Sequence, residues 1–201
     1  MHQTTSDAAV ATAGTEEAGS IYAAAIAVFM QRSFRDFGHA EVAERAGVDM
    51  TTVMRRWPNK AELLIDALAD AAGPLPVYHG ASLRDGLLEV VTKLADLYAT
   101  HGDLMAAVLY QLREHPDLDR AFRERYLLPR LACARKLFGA AVLREQLRPD
   151  ADPRLILSLV PALMTYRTLV HDPAPDPGTA ERLVDLIMLP LLLREPSGAR
   201  G

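Results

Sequence analysis

The chain has 201 residues and a mass of 22.0 kDa, and half of its residues are hydrophobic, enough for one compact domain or a small head on a larger body. Its formal net charge of -4 excludes indiscriminate coating of nucleic acid, and its single cysteine, Cys133, excludes an internal disulfide and any cysteine-cluster metal site. The first 20 residues lack the basic start and apolar run of a signal peptide, and Pro161, Arg167 and Pro190 interrupt the most apolar stretches, so the expectation is a cytoplasmic protein with no membrane partner.

Residues 1–18 are rich in Ala, Thr and small polar residues without a hydrophobic period, which predicts a disordered arm. The arm carries Asp7, Glu16 and Glu17 but no Lys or Arg, so it has nothing with which to follow a minor groove. From Ile21 the pattern changes. Ile21, Ala25, Val28 and Phe29 fall on one helical face, and Phe34 and Phe37 beyond it read as core plugs.

Residues 42–60, VAERAGVDMTTVMRRWPNK, read as two short helices about a tight turn. Ala46-Gly47 supplies the turn, with a glycine able to take positive φ, and Asp49 is placed to cap the helix that follows. In that helix Val53 and Trp57 (i, i+4) face inward, which turns Thr51 and Arg55 directly outward, flanked by Thr52 and Met54. An exposed threonine and arginine on a capped helix are suited to base edges in a major groove, arginine to guanine and the threonine methyl to thymine. Arg56 and Lys60 lie at the rim, where phosphate contact is expected. Between Gln31 and Lys60 six Lys/Arg face four Asp/Glu, or +2, which leaves 16 against 22, or -6, for the remainder.

Pro58-Asn59 ends the reading helix and a fourth helix runs from Lys60 to about Ala72, with Leu63, Leu64, Ala67 and Leu68 as its stripe, before the break at Gly73-Pro74. This helix is the natural link between head and body. Ser82 and Asp85 form a capping pair for a helix with Leu87, Leu88, Val91, Leu94, Ala95 and Tyr98, expected to end at His101-Gly102. A short helix to Arg113 follows, then a long one from Leu118 to about Leu143 that Pro129 is expected to bend or split. Two final helices, from about Pro153 to Val170 and Thr179 to Leu193, are separated by a Pro-rich loop at 171–178. Both are apolar around much of their circumference, which predicts a partner surface, most simply a two-fold homodimer through Leu155, Leu159, Leu163, Leu183, Ile187 and Leu191. The fold expected is all-α, about nine helices in all.

The order of these features resembles the tetracycline-repressor (TetR) family of bacterial transcription regulators. Residues 21–64 are similar to its DNA-binding head through Phe29–Phe34, Val42–Val48 and Thr52–Lys60. Residues 82–193 are similar to one variety of its C-terminal domain through Phe122–Tyr126, Pro129-Arg130, Leu147–Pro153 and Ala180–Asp185. The resemblance implies a helix-turn-helix head at 19–64, linked by helix 60–72 to a ligand-binding and dimerisation domain at 73–201. It further implies a homodimer on a double-stranded, roughly palindromic DNA operator, released when a small-molecule effector binds the body. Met50, Thr51, Thr52 and Arg55 are then the base readers. Met54, standing where the family often has a phosphate-contacting Tyr, joins Arg56 and Lys60 as the phosphate set. The family usually has Thr or Ser at the positions of Phe37 and Gly38, so Asp36 is left as the cap of the second helix.

For the effector, Tyr98, Met105, Tyr110, Tyr126, Met164 and Tyr166 are the candidate lining, since Tyr and Met give adaptable apolar walls with occasional polar tips. Two alternatives stand beside this reading. One keeps the DNA-binding dimer without an inducer. The other is a helical-bundle enzyme or carrier, which has little support: the six histidines are dispersed, none is paired at i, i+4, and no phosphate-binding glycine loop follows a strand. No cofactor, metal or catalytic residue is expected.

Overall fold

The computed structural model describes residues 3–75, 82–143, 147–170 and 178–193, whose regular elements are all helices, apart from one isolated antiparallel bridge between Leu147 and Leu193. The helices are α1 (Gln3–Gln31), α2 (His39–Ala46), α3 (Met50–Arg56), α4 (Lys60–Ala71), α5 (Leu83–Gln111), α6 (Pro116–Ala121), α7 (Leu128–Leu143), α8 (Pro153–Leu169), α9 (Thr179–Leu183) and α10 (Leu189–Leu192). Wider π-helical turns over Phe122–Leu127 and Val184–Met188 join α6 to α7 and α9 to α10. Eight continuous helices result among the described residues, close to the nine expected.

Helix α1 begins at Gln3, within the segment expected as an arm. The segment has no amphipathic period, but its alanines carry the highest helix propensity and it is continuous with a helix that is anchored by packing. That anchor is Ile21, Ala25, Val28 and Phe29, all buried.

Both π turns are followed by a proline, Pro129 and Pro190. A proline has no N–H to donate to the carbonyl four residues back, and its ring crowds that carbonyl; a wider turn relieves both. The expected disturbance at Pro129 is therefore present, as a widened turn just ahead of it, while the one at Pro190 had no counterpart in the periodicity. The break expected at His101-Gly102 is instead a kink. His101 has φ -135° and ψ 26°, and α5 continues beyond it to Gln111.

Contacts divide the chain into two units, one comprising residues 1–71 with 107–126 and the other 72–106 with 127–201. Helix α6 and most of the first π turn cluster with the first four helices. In the first unit, α4 packs on α1 and α6, and α2 on α1 and α3. Ala61, Leu63, Leu64, Ile65, Ala67 and Leu68 of α4 are buried, a wider stripe than the four residues read from the sequence. Gly73, at φ +68°, closes the chain beyond α4. The loop expected at 171–178 lies, apart from Gly178, outside the described residues.

In the second unit the Ser82–Asp85 pair caps α5, with Ser82 Oγ donating to Asp85 Oδ2 at 2.6 Å and the Asp85 amide donating back to Ser82 Oγ at 3.1 Å. Arg84 holds Asp185 in two parallel bonds of 2.7 Å, and these bonds keep the Asp185 carboxyl below the usual range. Helices α5 and α8 meet where Gly102 lies against Thr168; a Cβ there would stand 2.8 Å from Thr168 Oγ1. Gly102→Ala should therefore lower stability by about 1–3 kcal/mol, more than the gain in helix propensity returns. Urea denaturation checks this, and adding Thr168→Ala should recover most of the loss if the clash is the cause.

Candidate nucleic-acid interface

Helices α2 and α3 are set by their caps. Gly47 ends α2 in the left-handed conformation, φ 70° and ψ 29°, while the Val48 amide donates back to Ala43 O at 3.0 Å. Two residues on, Asp49 caps α3. Its Oδ1 accepts from the Thr51 amide at 2.7 Å and from Thr51 Oγ1 at 2.6 Å, and these bonds hold the Asp49 carboxyl below its ordinary range. The cap expected for α2 is absent: Gly38 occupies that position without a side-chain bond, and Asp36 instead accepts from Ser33 Oγ at 3.1 Å.

Val42, Ala43, Val53 and Trp57 are buried, as their spacing requires, so α3 turns the rest of its surface outward. Three ridges at i, i+4 spacing run along it: Met50 with Met54, Thr51 with Arg55, and Thr52 with Arg56. Thr51, Arg55 and Arg56 are exposed and Thr52 is half-buried, while Met50 and Met54 are each 43% exposed. Arg55 makes no ion pair or hydrogen bond among the described residues, and Arg56 lies over the Trp57 ring with Cζ 4.7 Å from its centroid. The four expected base readers thus stand on one short helix with adjacent ridges.

Trp57 anchors that helix from behind. Its indole Nε1 donates to Asp66 Oδ2 at 2.9 Å, its carbonyl meets His39 Nε2 at 2.7 Å, and its ring packs edge-on against Tyr22 at 5.4 Å. Asp66 also accepts Arg125 Nε and Nη2 at 2.7 and 2.6 Å, and Arg125 Nη1 lies 3.4 Å from Glu62. Paired with Asp66, the Arg125 guanidinium is held more firmly protonated than usual. Asp66 and Arg125, which link the end of α3 to α4 and to the π turn, carry no signal in the sequence, because 59 residues separate them.

Lys60, expected at a phosphate, is bonded within the head. Its Nζ donates to the carbonyls of Phe34, Arg35 and Phe37 at 2.8, 3.0 and 2.9 Å and sits 4.8 Å from the Phe34 ring centroid. An ammonium has three hydrogens, and all three are committed to closing the turn between α1 and α2. Met54 is also unsuited to the phosphate role, since a thioether has no hydrogen to donate.

The expected effector lining is divided between the two units, Tyr110 and Tyr126 belonging to the first and the other four residues to the second. Tyr98, Met105 and Met164 are buried in the second unit, where Tyr98 Oη shares a hydrogen bond of 2.7 Å with Thr165 Oγ1 and burial pushes the phenol pKa up. Tyr126 is buried in the first unit, stacked on Phe122. Tyr110 and Tyr166 are 75% and 63% exposed; periodicity places a tyrosine on a helix but not on its dry side.

On the final helices the expected interface divides. Ile156, Val160 and Met164 of α8 and Val184, Met188 and Leu192 of the last helix are buried, whereas Leu155, Leu159, Ile187 and Leu191 are exposed and Leu163 is half-buried. Leu183 is buried within the chain, a correction to its place in the set. Leu186, at 70% exposure, also lies on the outward face.

Comparison with known proteins matches residues 21–73 to the family described as bacterial regulatory proteins, tetR family, and residues 79–187 to the tetracyclin repressor-like C-terminal domain. The chain is similar to a DNA-binding transcriptional repressor TetR of Mycobacteroides abscessus, 31% identical over 89% of this chain and 95% of the relative. It is also similar to an uncharacterised HTH-type transcriptional regulator of Mycobacterium tuberculosis, 29% identical over 76% of each chain. Among solved structures, a TetR transcriptional regulator from Agrobacterium tumefaciens shares the fold with a TM-score of 0.65 at 19% identity, over 89% of this chain and 95% of that one. So does the transcriptional regulator FadR of Bacillus subtilis in complex with stearoyl-CoA, with a TM-score of 0.56 at 18% identity over 84% and 98%.

Proposed function

The chain belongs to the tetracycline-repressor family of DNA-binding, helix-turn-helix transcriptional regulators, and from that premise we propose that it is a cytoplasmic homodimeric repressor whose paired α3 helices enter successive major grooves of a palindromic operator. The observation that carries this reading is the outward face of α3, where Thr51, Thr52 and Arg55 stand clear of a core sealed by Val53 and Trp57. Arg55 reads guanine and Thr52 serves a neighbouring base, while Arg56 at the rim meets phosphate. A single head with a local charge of only +2 binds weakly, and two at fixed spacing bind tightly. The exposed apolar face of α8 and α10 supports that pairing.

A small-molecule effector in the second unit shifts the two heads out of register through α4 and so releases DNA. It is supported by the neighbour that holds stearoyl-CoA and by the buried Tyr98, Met105 and Met164, which combine apolar side chains with one polar tip. The alternative without an inducer predicts no compound that both stabilises the protein and releases DNA.

The test is a pair of substitutions. Thr51→Ala and Arg55→Ala should each weaken the selected operator by about 1–3 kcal/mol and leave random duplex nearly unchanged. Titration of both DNAs by fluorescence anisotropy measures this; equal losses on the two would make these residues phosphate contacts.

A further inference from the structure

The polar inventory of α3 is smaller than its sequence suggests. The Thr51 hydroxyl gives its only hydrogen to Asp49 Oδ1 at 2.6 Å, and the Thr51 amide occupies the same oxygen at 2.7 Å. Thr51 is left with a methyl group and acceptor lone pairs for any base edge, so it cannot donate to the N7 or O6 of guanine. Beside it the Met50–Met54 ridge is apolar, and each side chain is 43% exposed although it lies on a helix whose inward face is otherwise sealed.

A thioether gains nothing at a phosphate, but it is polarizable, flexible and well suited to closing over a methyl group. In the major groove thymine alone offers one, at C5. We propose that Met50, Met54 and the Thr51 methyl form an apolar reading edge for the 5-methyl groups of thymines in each operator half-site, with Arg55 on the neighbouring ridge supplying the polar contact. The inference rests on the reading that α3 lies in the major groove, and it moves Met54 from the phosphate set to the base readers.

Deoxyuridine separates this from other modes of recognition, because it keeps every hydrogen-bonding group of thymine and lacks only the methyl. With the full-length protein, a half-site is first defined by selection from a pool of randomised duplexes. Each thymine is then replaced singly by deoxyuridine and affinity is measured. At one or more positions in each half-site the replacement should weaken binding about four-fold, the worth of one buried methyl. Met50→Ala or Met54→Ala should abolish that sensitivity at its own position, Met54→Leu should retain it, and Arg55→Ala should leave it in place. Circular dichroism establishes that each variant is folded.

Deoxyuridine duplexes bound as tightly as the parent at every position would overturn the inference, as would a sensitivity unchanged in the Met50→Ala, Met54→Ala double variant. A pool that yields no enriched sequence would remove the major-groove reading itself and the inference with it.

Discussion

Trp57→Ala should cost about 3–5 kcal/mol of stability, a large part of the 5–15 kcal/mol on which a domain of this size ordinarily stands. The side chain is 2% exposed, and its removal leaves a cavity behind α3 between Tyr22 and the buried stripe of α4. It also takes the indole donor from Asp66, although Arg125 continues to satisfy that carboxylate through two bonds. Because the loss is chiefly one of packing, Trp57→Phe should recover more than half of it. As this is the sole tryptophan in the chain, its fluorescence reports unfolding of the head in the parent protein; the variants are compared by circular dichroism in urea. A loss below about 1 kcal/mol for Trp57→Ala would mean that α3 is anchored by something other than this residue.

Charge placed on the outer face of the last helices should abolish tight operator binding without unfolding the chain. Leu159 and Ile187 are 39% and 41% exposed in the single protomer and lie outside the buried core, so Leu159→Glu with Ile187→Glu takes little from it. In a two-fold assembly each glutamate faces an apolar partner surface, and burying an unpaired carboxylate there is prohibitive. The protein should sediment as a monomer with its helical content intact, and its affinity for a palindromic operator should fall by about 10²–10⁴-fold, the advantage of linking two weak heads. A dimer that survives both substitutions would place the interface elsewhere.

Much of this architecture is legible in the sequence because it rests on local rules. The faces of α1, α3 and α4, the positive φ of Gly47, the Asp49 cap and the Ser82–Asp85 pair each follow from spacing and residue type over a few positions. What escapes depends on partners distant in the chain. Lys60 reads as a rim cation until three backbone carbonyls are seen around it, and nothing near Asp66 in the chain announces that Trp57 and Arg125 converge on it. Helical periodicity also fails to distinguish the inner from the outer side of a helix that is apolar on both, which is why Leu183 lies inward while Leu186, Tyr110 and Tyr166 turn outward. Spacing and the Asp49 cap locate the reading helix, but the chemistry left to Thr51 depends on its hydroxyl being held by Asp49.

Titration of the full-length protein against its selected operator and against random duplex, at several salt concentrations, tests the central claim most directly. Two chains should bind each palindromic duplex, far more tightly than random DNA, with log K falling linearly against log salt by about 0.9 for each phosphate neutralised. Binding that is indifferent to sequence, or one chain per duplex with undiminished affinity, would contradict it.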